Sequence, residues 1–226
     1  MTLDALQINL SLPTVGPSET LPARVHAILE QAIIDGRFEP ESRIHADDLA
    51  AHFGVSRIPV REALRSLHEA GWVEIRPRYG VRVRSRDPLE LDDLFEFRAE
   101  VERTVARFAA ERRDEDDLAA FAEIVESSRV ARDAHDLETL DANGLRLYAT
   151  LRAAAKNAVM AESSVSLEKR ARFYYVTIAN DLGLDWTYVH ERVVDFIRAG
   201  DGIAAGDLIH DHILKTGQQT RELLFR

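Results

Sequence analysis

The apolar residues of this chain change their spacing twice, and that change limits the layers it can build. Up to Gly71 they recur at helical intervals, from Val73 to Val83 they alternate, and from Pro88 onward they return to the helical interval and keep it. Such a chain has room for one small sheet inside an otherwise helical molecule. Between Leu21 and Asp35, Val25, Ile28, Leu29, Ala32 and Ile33 form one apolar stripe, and Gly36 supplies the stop. A second, short helix is expected from about His45 to Phe53, burying Leu49, Ala50 and Phe53, with Gly54 permitting a tight turn. Ser56 reads as the cap of a third helix. In it Val60, Ala63, Leu64 and Leu67 fall at i, i+3, i+4 and i+7, and Pro59 stands in the first turn, where a missing N–H costs little. Val73 and Ile75 alternate with Glu74 and Arg76, and Val81 and Val83 with Arg82 and Arg84, so two strands joined through Pro77-Arg-Tyr-Gly80 are predicted. A helix, a helix–turn–helix and a basic hairpin make a winged helix-turn-helix.

Asp87-Pro88 opens the long helical block with an N-cap residue, proline at the first helical position and Glu90 in the first turn. Leu91, Leu94, Phe95, Arg98, Val101, Glu102 and Val105 follow at helical spacing, and further helices are expected near 114–131, 136–155, 158–180, 185–199 and 202–224. Gly200-Asp201 reads as a stop followed at once by a new N-cap. The expectation is a mainly α protein in three parts: a flexible arm over 1–18 (Pro13, Gly16 and Pro17), a winged helix-turn-helix over 19–86, and an all-α bundle over 87–226, long enough for its own core.

Charge separates the same parts. Residues 19–86 carry 11 Arg against 10 acidic residues, and 57–86 alone hold 8 Arg against three Glu, whereas 87–226 hold 18 basic and 28 acidic residues. A basic end on an acidic body suits a polyanionic partner at that end only. With no cysteine in 226 residues, disulfide scaffolds, thiolate metal sites and cysteine nucleophiles are excluded. No stretch approaches the ~18 consecutive apolar residues of a membrane span, and the opening Met1-Thr-Leu-Asp-Ala-Leu6 lacks the basic region of a secretion signal, so a cytoplasmic place without membrane contact is expected.

Arg57, Arg61 and Arg65 lie at i, i+4 and i+8, opposite the apolar stripe of the third helix. A major groove admits one α-helix, and arginine pairs with guanine O6 and N7 or binds phosphate. The N-terminal residues of the second helix of such a motif reach base edges, which puts Ser56, Arg57 and Arg61 nearest to double-stranded DNA. At the hairpin tip Arg78 and Tyr79, beside Gly80, can approach a flanking groove, while Arg76, Arg82 and Arg84 suit phosphates, which position without specifying.

The run Leu49-Ala-Ala-His-Phe-Gly-Val-Ser-Arg-Ile-Pro-Val-Arg-Glu-Ala-Leu-Arg-Ser-Leu67, with Ile33-Ile-Asp-Gly-Arg-Phe-Glu-Pro40 before it and Ala70-Gly-Trp-Val73 after it, resembles the signature of the GntR superfamily of bacterial transcription regulators. One departure is Pro40-Glu-Ser-Arg-Ile44, where members usually have Pro-Gly-Glu-Arg-Leu. The resemblance implies that Ser56, Arg57, Pro59, Arg61 and the wing near Tyr79-Gly80 form the DNA-contact surface. The helical remainder resembles the FCD ligand-binding domain of the FadR-like subfamily, through Phe97-Arg98 to Glu102, Leu147 to Asn157, and His190 through Asp201 to His212. That implies an effector-binding and dimerisation domain, with effector candidates Arg98, Tyr148, Asn157, His190 and His212.

In that family many bundles hold a divalent metal such as zinc with one Asp and three His, and the metal coordinates a carboxylate effector. Carried onto this chain, Gly144 stands where the Asp would be and Tyr148 where the first His would be, and only His190 and His212 match. Two imidazoles fall short of the usual three protein ligands, which questions the metal and leaves the fold untouched. Asp141 replaces the missing ligand only if the helix shifts. His190 and His212 read equally well as interior or surface histidines with no ligand. Arg98, on the apolar face, needs either Glu102 or an acidic ligand as partner.

An enzyme is not indicated. His190-Glu-Arg-Val-Val194 has valine where a zinc-protease helix needs its second histidine, Gly200-Asp-Gly-Ile-Ala-Ala-Gly206 lacks a phosphate-loop lysine and reads as a joint between helices, and Asp114-Glu-Asp-Asp117 reads as a helix start. The expected function is a homodimeric transcription regulator, in the family's commoner mode a repressor, that binds a palindromic operator and responds to a small carboxylate metabolite. The alternative is a DNA-binding regulator without a small ligand, acting by partner recruitment.

Overall fold

A computed structural model describes residues 20–182 and 185–226; the arm expected over 1–18 lies outside the described residues. The chain forms two compact units, one of residues up to 30 with 43–82, the other of 31–42 with 83–226.

The first unit contains the start of helix α1 (Leu21–Ile34), strand β1 (Arg43–Ile44), helices α2 (Ala46–Phe53) and α3 (Arg57–Glu69), and strands β2 (Val73–Arg76) and β3 (Gly80–Val83). Gly54, in the left-handed conformation at φ 65°, ends α2 and returns its N–H to the last turn, so α3 starts three residues later. The α3 stripe is buried as the spacing requires: Val60, Ala63, Leu64 and Leu67 pack with Val25, Leu29, Ile44, Trp72 and Val73 as the core. Trp72 spends its indole N–H on Glu30 Oε1 at 2.9 Å. The expected hairpin is present, and the two-residue β1 adds to its outer strand, giving the order β1-β3-β2 with Ile44 opposite Val81. Nothing in the alternation pattern marks so short a strand. Ile28 is a correction: it is 52% exposed, because it lies about 60° around the helix from the line through Val25.

The second unit is helical from Pro88: α4 (Pro88–Arg112), α5 (Glu115–Ala134), α6 (Leu137–Ala154), α7 (Ala158–Tyr175), a 3-10 segment (Val176–Leu182), α8 (Asp185–Ala199) and α9 (Gly202–Leu224). The acidic residues ahead of these helices do what their positions imply. Asp87 accepts from Leu89 N and Glu90 N at 2.7 and 3.2 Å, Asp201 accepts from Ala204 N at 3.0 Å, and Asp114 and Asp117 form a reciprocal capping box. The helix expected over 158–180 stops being α at Tyr175. The β-branched run Val176-Thr-Ile178 is a poor continuation, and the chain tightens into 3-10 there.

α4 is the central helix, packed on α6, α7, α8 and most extensively on α9. Glycines make that last contact. A Cβ on Gly202 would lie 2.9 Å from the Arg107 carbonyl oxygen, one on Gly206 2.8 Å from the Arg103 carbonyl oxygen, and one on Gly217 2.7 Å from the Phe95 side chain. The stretch Gly200–Gly206 is therefore only in part a joint: Gly200, at φ 78°, is the stop, while Gly202 and Gly206 are packing residues inside α9. Among the described residues no helix is long and apolar enough to cross a membrane.

Candidate functional site

Each unit carries one candidate site. On the first, Ser56 has the extended backbone of an N-cap, yet its hydroxyl makes no capping bond and is exposed at the front of α3. Arg57, Arg61 and Arg65 follow on the exposed face. Arg57 Nε meets Asp47 at 2.9 Å and Arg65 Nε meets Glu69 at 3.2 Å, both between exposed side chains. Such pairs are worth about 0–1 kcal/mol and give way readily to a phosphate or base edge. Arg61 has no ion-pair partner among the described residues. Pro59, by contrast, is buried in the first turn, so it shapes the start of α3 and offers no surface to a ligand. At the wing, Arg78 (φ 67°) and Gly80 (φ 86°) turn the chain left-handed on either side of Tyr79, whose side chain is 70% exposed.

Arg84 departs from its expected phosphate role. In the second unit its half-buried guanidinium pairs with Glu90 and lies over the Phe173 ring. Its neighbour Arg86 donates to the Phe173 carbonyl at 3.0 Å and to Thr177 at 3.1 Å. Both are structural.

The second site is a cavity of about 540 Å³ inside the bundle, walled by α4, α6, α7, the 3-10 segment, α8 and α9. Arg98 reaches it from α4. Only 4% of the residue is exposed, its Cζ lies 5.2 Å over the Tyr148 ring, and its Nε has no hydrogen-bond partner among the described residues. The expected pairing with Glu102 is an attraction through space, with no ion pair or hydrogen bond closing between the two side chains. Glu102, 1% exposed, takes a 2.6 Å hydrogen bond from Ser164 Oγ on one oxygen and leaves Oε2 unpartnered. Burial pushes the Glu102 carboxyl up from its usual range, against the pull of Arg98. The other charges near the wall pair off: Arg152 with Glu168 at 2.5 Å and Arg172 with Asp141 at 3.0 Å.

Tyr148, His190 and His212 meet in one aromatic cluster with Trp186. Ring centroids are 5.8 Å apart for Tyr148–His190, 5.6 Å for His190–His212 and 5.1 Å for Trp186–His190, all edge-on. Four of the five residues expected on an effector site therefore share the cavity. Asn157 does not: it caps α7, accepting from Met160 N at 3.1 Å, and is absent from the lining. Tyr175 lines the cavity, whereas Tyr174 points its hydroxyl at the Asp87 carbonyl and Glu90. Trp186 escaped the sequence reading, although it stands four residues before His190 on the same face of α8. The divalent metal implied by the family resemblance does not fit. Gly144 brings no side chain, Tyr148 brings a phenol kept neutral by burial, and among the described residues no group of three or more His, Asp or Glu is placed to hold an ion.

Both histidines are held neutral. Burial, and then the Arg98 charge, lowers His212 to about 4, and burial, His212 and Arg98 lower His190 well below its ordinary value of 6.5. In the unfolded chain these rings protonate near pH 6.5, so between pH 6.5 and about 4 the unfolded state binds more protons. Stability is complete above pH 6.5 and falls with pH through that window, by about 1.4 kcal/mol per pH unit for each histidine. Melting temperatures measured from pH 7 to pH 5 drop accordingly, and His212→Gln drops less steeply; an equal slope contradicts the assignment.

Both units of the chain are similar to known proteins. The family model "Bacterial regulatory proteins, gntR family" matches residues 21–83, and the FCD domain model matches residues 93–215, more than half of the chain. The HTH-type transcriptional regulator YdhC of Bacillus subtilis (strain 168) is 31% identical over 103 residues, which is 46% of each chain, so the match spans about half the length of that relative. The galactonate operon transcriptional repressor of Escherichia coli (strain K12) is 25% identical over 223 residues, 88% of this chain and 96% of that one. The solved E. coli McbR/YncC has the same fold, with a TM-score of 0.75, 21% identity, and coverage of 92% of this chain and 100% of that chain. With a winged helix-turn-helix ahead of an FCD helical bundle, this chain belongs to the GntR family of bacterial transcription regulators.

Proposed function

We propose that the protein is a repressor whose grip on a palindromic operator is set by a small carboxylate in the bundle cavity, and that it works in the cytoplasm as a homodimer. The DNA surface is Ser56, Arg57, Arg61 and Arg65 on α3, with Arg78, Tyr79 and Gly80 on the wing; Pro59 supports it from beneath. Two copies are expected because helix-turn-helix proteins read half-sites one duplex turn apart. The observation that carries the effector reading is Arg98: a guanidinium 4% exposed, with an unpartnered Nε, on the wall of a cavity of about 540 Å³. A buried cation of this kind is best satisfied by a carboxylate, which guanidinium binds bidentately. Two relatives support the mode: the E. coli repressor is named for the galactonate operon, and a 25% identical protein of Paenarthrobacter nicotinovorans is named a probable D-xylose utilization operon transcriptional repressor.

An acid that occupies the cavity acts only through its different affinity for the operator-bound and free arrangements. The test is thermal-shift screening of the full chain against organic acids, followed by a mobility-shift assay with each hit. An acid that raises the melting temperature is expected to release the operator, and Arg98→Met is expected to bind the operator as before but to lose about 10- to 100-fold in response to that acid. Full response in Arg98→Met contradicts the reading, and absence of any shift with any acid favours action by partner recruitment.

A further inference from the structure

We infer that the bundle cavity takes its acid without a metal ion, and that this acid is a monocarboxylate with a flat apolar body, held by Arg98 and packed against Trp186 and Tyr148. This rests on the carboxylate reading of the cavity given above and narrows it.

Positions 144, 148, 190 and 212 still converge as a ligand set would. Gly144 and Tyr148 sit one turn apart on α6, and the rings of Tyr148, His190 and His212 succeed one another at 5.8 and 5.6 Å. A Cβ on Gly144 would stand 3.9 Å from His190 Cε1, so a side chain there would point at the imidazole. Glycine brings no oxygen, and the space before it is filled by the Trp186 ring, 3.5 Å from that Cβ position. What remains for an ion is two imidazoles, below the three protein ligands of an open zinc site. Arg98, buried on the same lining, would also set a fixed positive charge against a divalent ion beside the imidazoles, where screening by water is poor.

The carboxylate therefore has the guanidinium itself to bind. Arg98 Nε and His190 Nε2 are both without a hydrogen-bond partner among the described residues, and both atoms are buried. The other charges of the wall are engaged, the half-exposed Asp141 by Arg172 and Glu168 by Arg152, while Asp211 and Lys215 are exposed. Arg98 feels Glu102 and Glu168 through space, but its unpartnered Nε leaves it, among the described residues, the one deep cation of the lining with a donor to offer a carboxylate. Most of the remaining wall is apolar, with Leu140, Leu145, Val189 and Ile213 beside the Trp186 ring, which offers a planar hydrocarbon body burial and an edge or face to stack on; Tyr175, Thr216 and Gln219 add polar groups to the same lining. A polyhydroxylated acid has more hydroxyls than these few polar groups can satisfy and would bury the rest against the apolar part of the wall.

The test is titration calorimetry of the full chain with benzoate, phenylacetate, gluconate and zinc ion, each with and without EDTA for the organic probes. The expected result is saturable binding of benzoate or phenylacetate with Kd below ~1 mM, unchanged by EDTA, and no stoichiometric zinc site. Arg98→Met is expected to weaken the aromatic acid by at least ~10-fold. Gly144→Asp combined with Tyr148→His restores four donors and is expected to bind zinc at least ~100-fold more tightly than the natural chain. Acid binding that disappears with EDTA, or one zinc bound by the natural chain with Kd below ~1 µM and abolished in His190→Ala, overturns the metal-free claim. Gluconate binding more tightly than both aromatic acids overturns the ligand class and leaves the carboxylate reading standing. No binding by any of the three acids overturns both.

Discussion

Arg57→Ala and Arg61→Ala abolish specific operator binding while the circular dichroism spectrum and the oligomeric state stay as they are. Both side chains lie on the exposed face of α3, opposite Val60, Ala63, Leu64 and Leu67, so truncation leaves the core untouched. In the free protein Arg57→Ala removes the exposed ion pair with Asp47, worth about 0–1 kcal/mol. On DNA the cost is larger. A bidentate arginine–guanine contact discriminates by ~1–3 kcal/mol, and a dimer on a palindrome makes it twice, so each substitution is expected to cost about 2–6 kcal/mol of specific binding. Arg65→Ala, one turn further from the N-terminus, weakens binding to all sequences alike if it meets phosphate. Fluorescence anisotropy on operator and scrambled duplexes separates the two effects, and operator affinity within threefold of the natural chain in both Arg57→Ala and Arg61→Ala contradicts the recognition-helix assignment.

Gly206→Ala lowers the melting temperature, and Gly144→Ala raises it. Both are glycines inside helices, where alanine is ordinarily preferred by about 1 kcal/mol. At 144 the new methyl group would meet Trp186 at 3.5 Å, an ordinary contact, and the helix preference is realised. At 206 it would lie 2.8 Å from the Arg103 carbonyl oxygen, and that atom belongs to the backbone of the central helix α4 and cannot turn aside. Separating α4 from α9 opens the largest helix contact of the second unit, so a net loss of about 1–3 kcal/mol is expected for Gly206→Ala and more for Gly206→Val. For a chain of this size each kcal/mol moves the melting temperature by about 2–4 °C. Calorimetry that finds both alanine variants stabilised contradicts the close approach of α4 and α9.

The features legible in the sequence were those that local physics decides. The caps at Asp87, Asp114 and Asp201, the turn at Gly54, the stripe of α3 and the hairpin all follow from spacing within a few residues. Arg98 was legible as a charge on an apolar face, and the structure buries it there. Misplaced residues were those whose role is set by chain far away. Ile28 fits the α1 stripe by spacing and is exposed, because Val25 and Leu29 define the buried line. Asn157 lies in register with Leu151 and Ala154 but falls past the end of α6, where capping α7 claims its side chain. Gly202 and Gly206 look like a loop until α4 is packed against them. The cavity itself needed five helices and a 3-10 turn to converge, which no single helical period encodes.

The most direct test places the full chain, upstream DNA of its own gene and an acid that raises its melting temperature in one mobility-shift experiment. The expected result is a sequence-specific complex without the acid, its dissolution as the acid saturates the cavity, and persistence of the complex when Arg98→Met is used instead. A chain that forms no preferred complex with that DNA, or one whose complex is indifferent to every acid that stabilises it, would contradict the coupling of the α3 arginines to the Arg98 cavity.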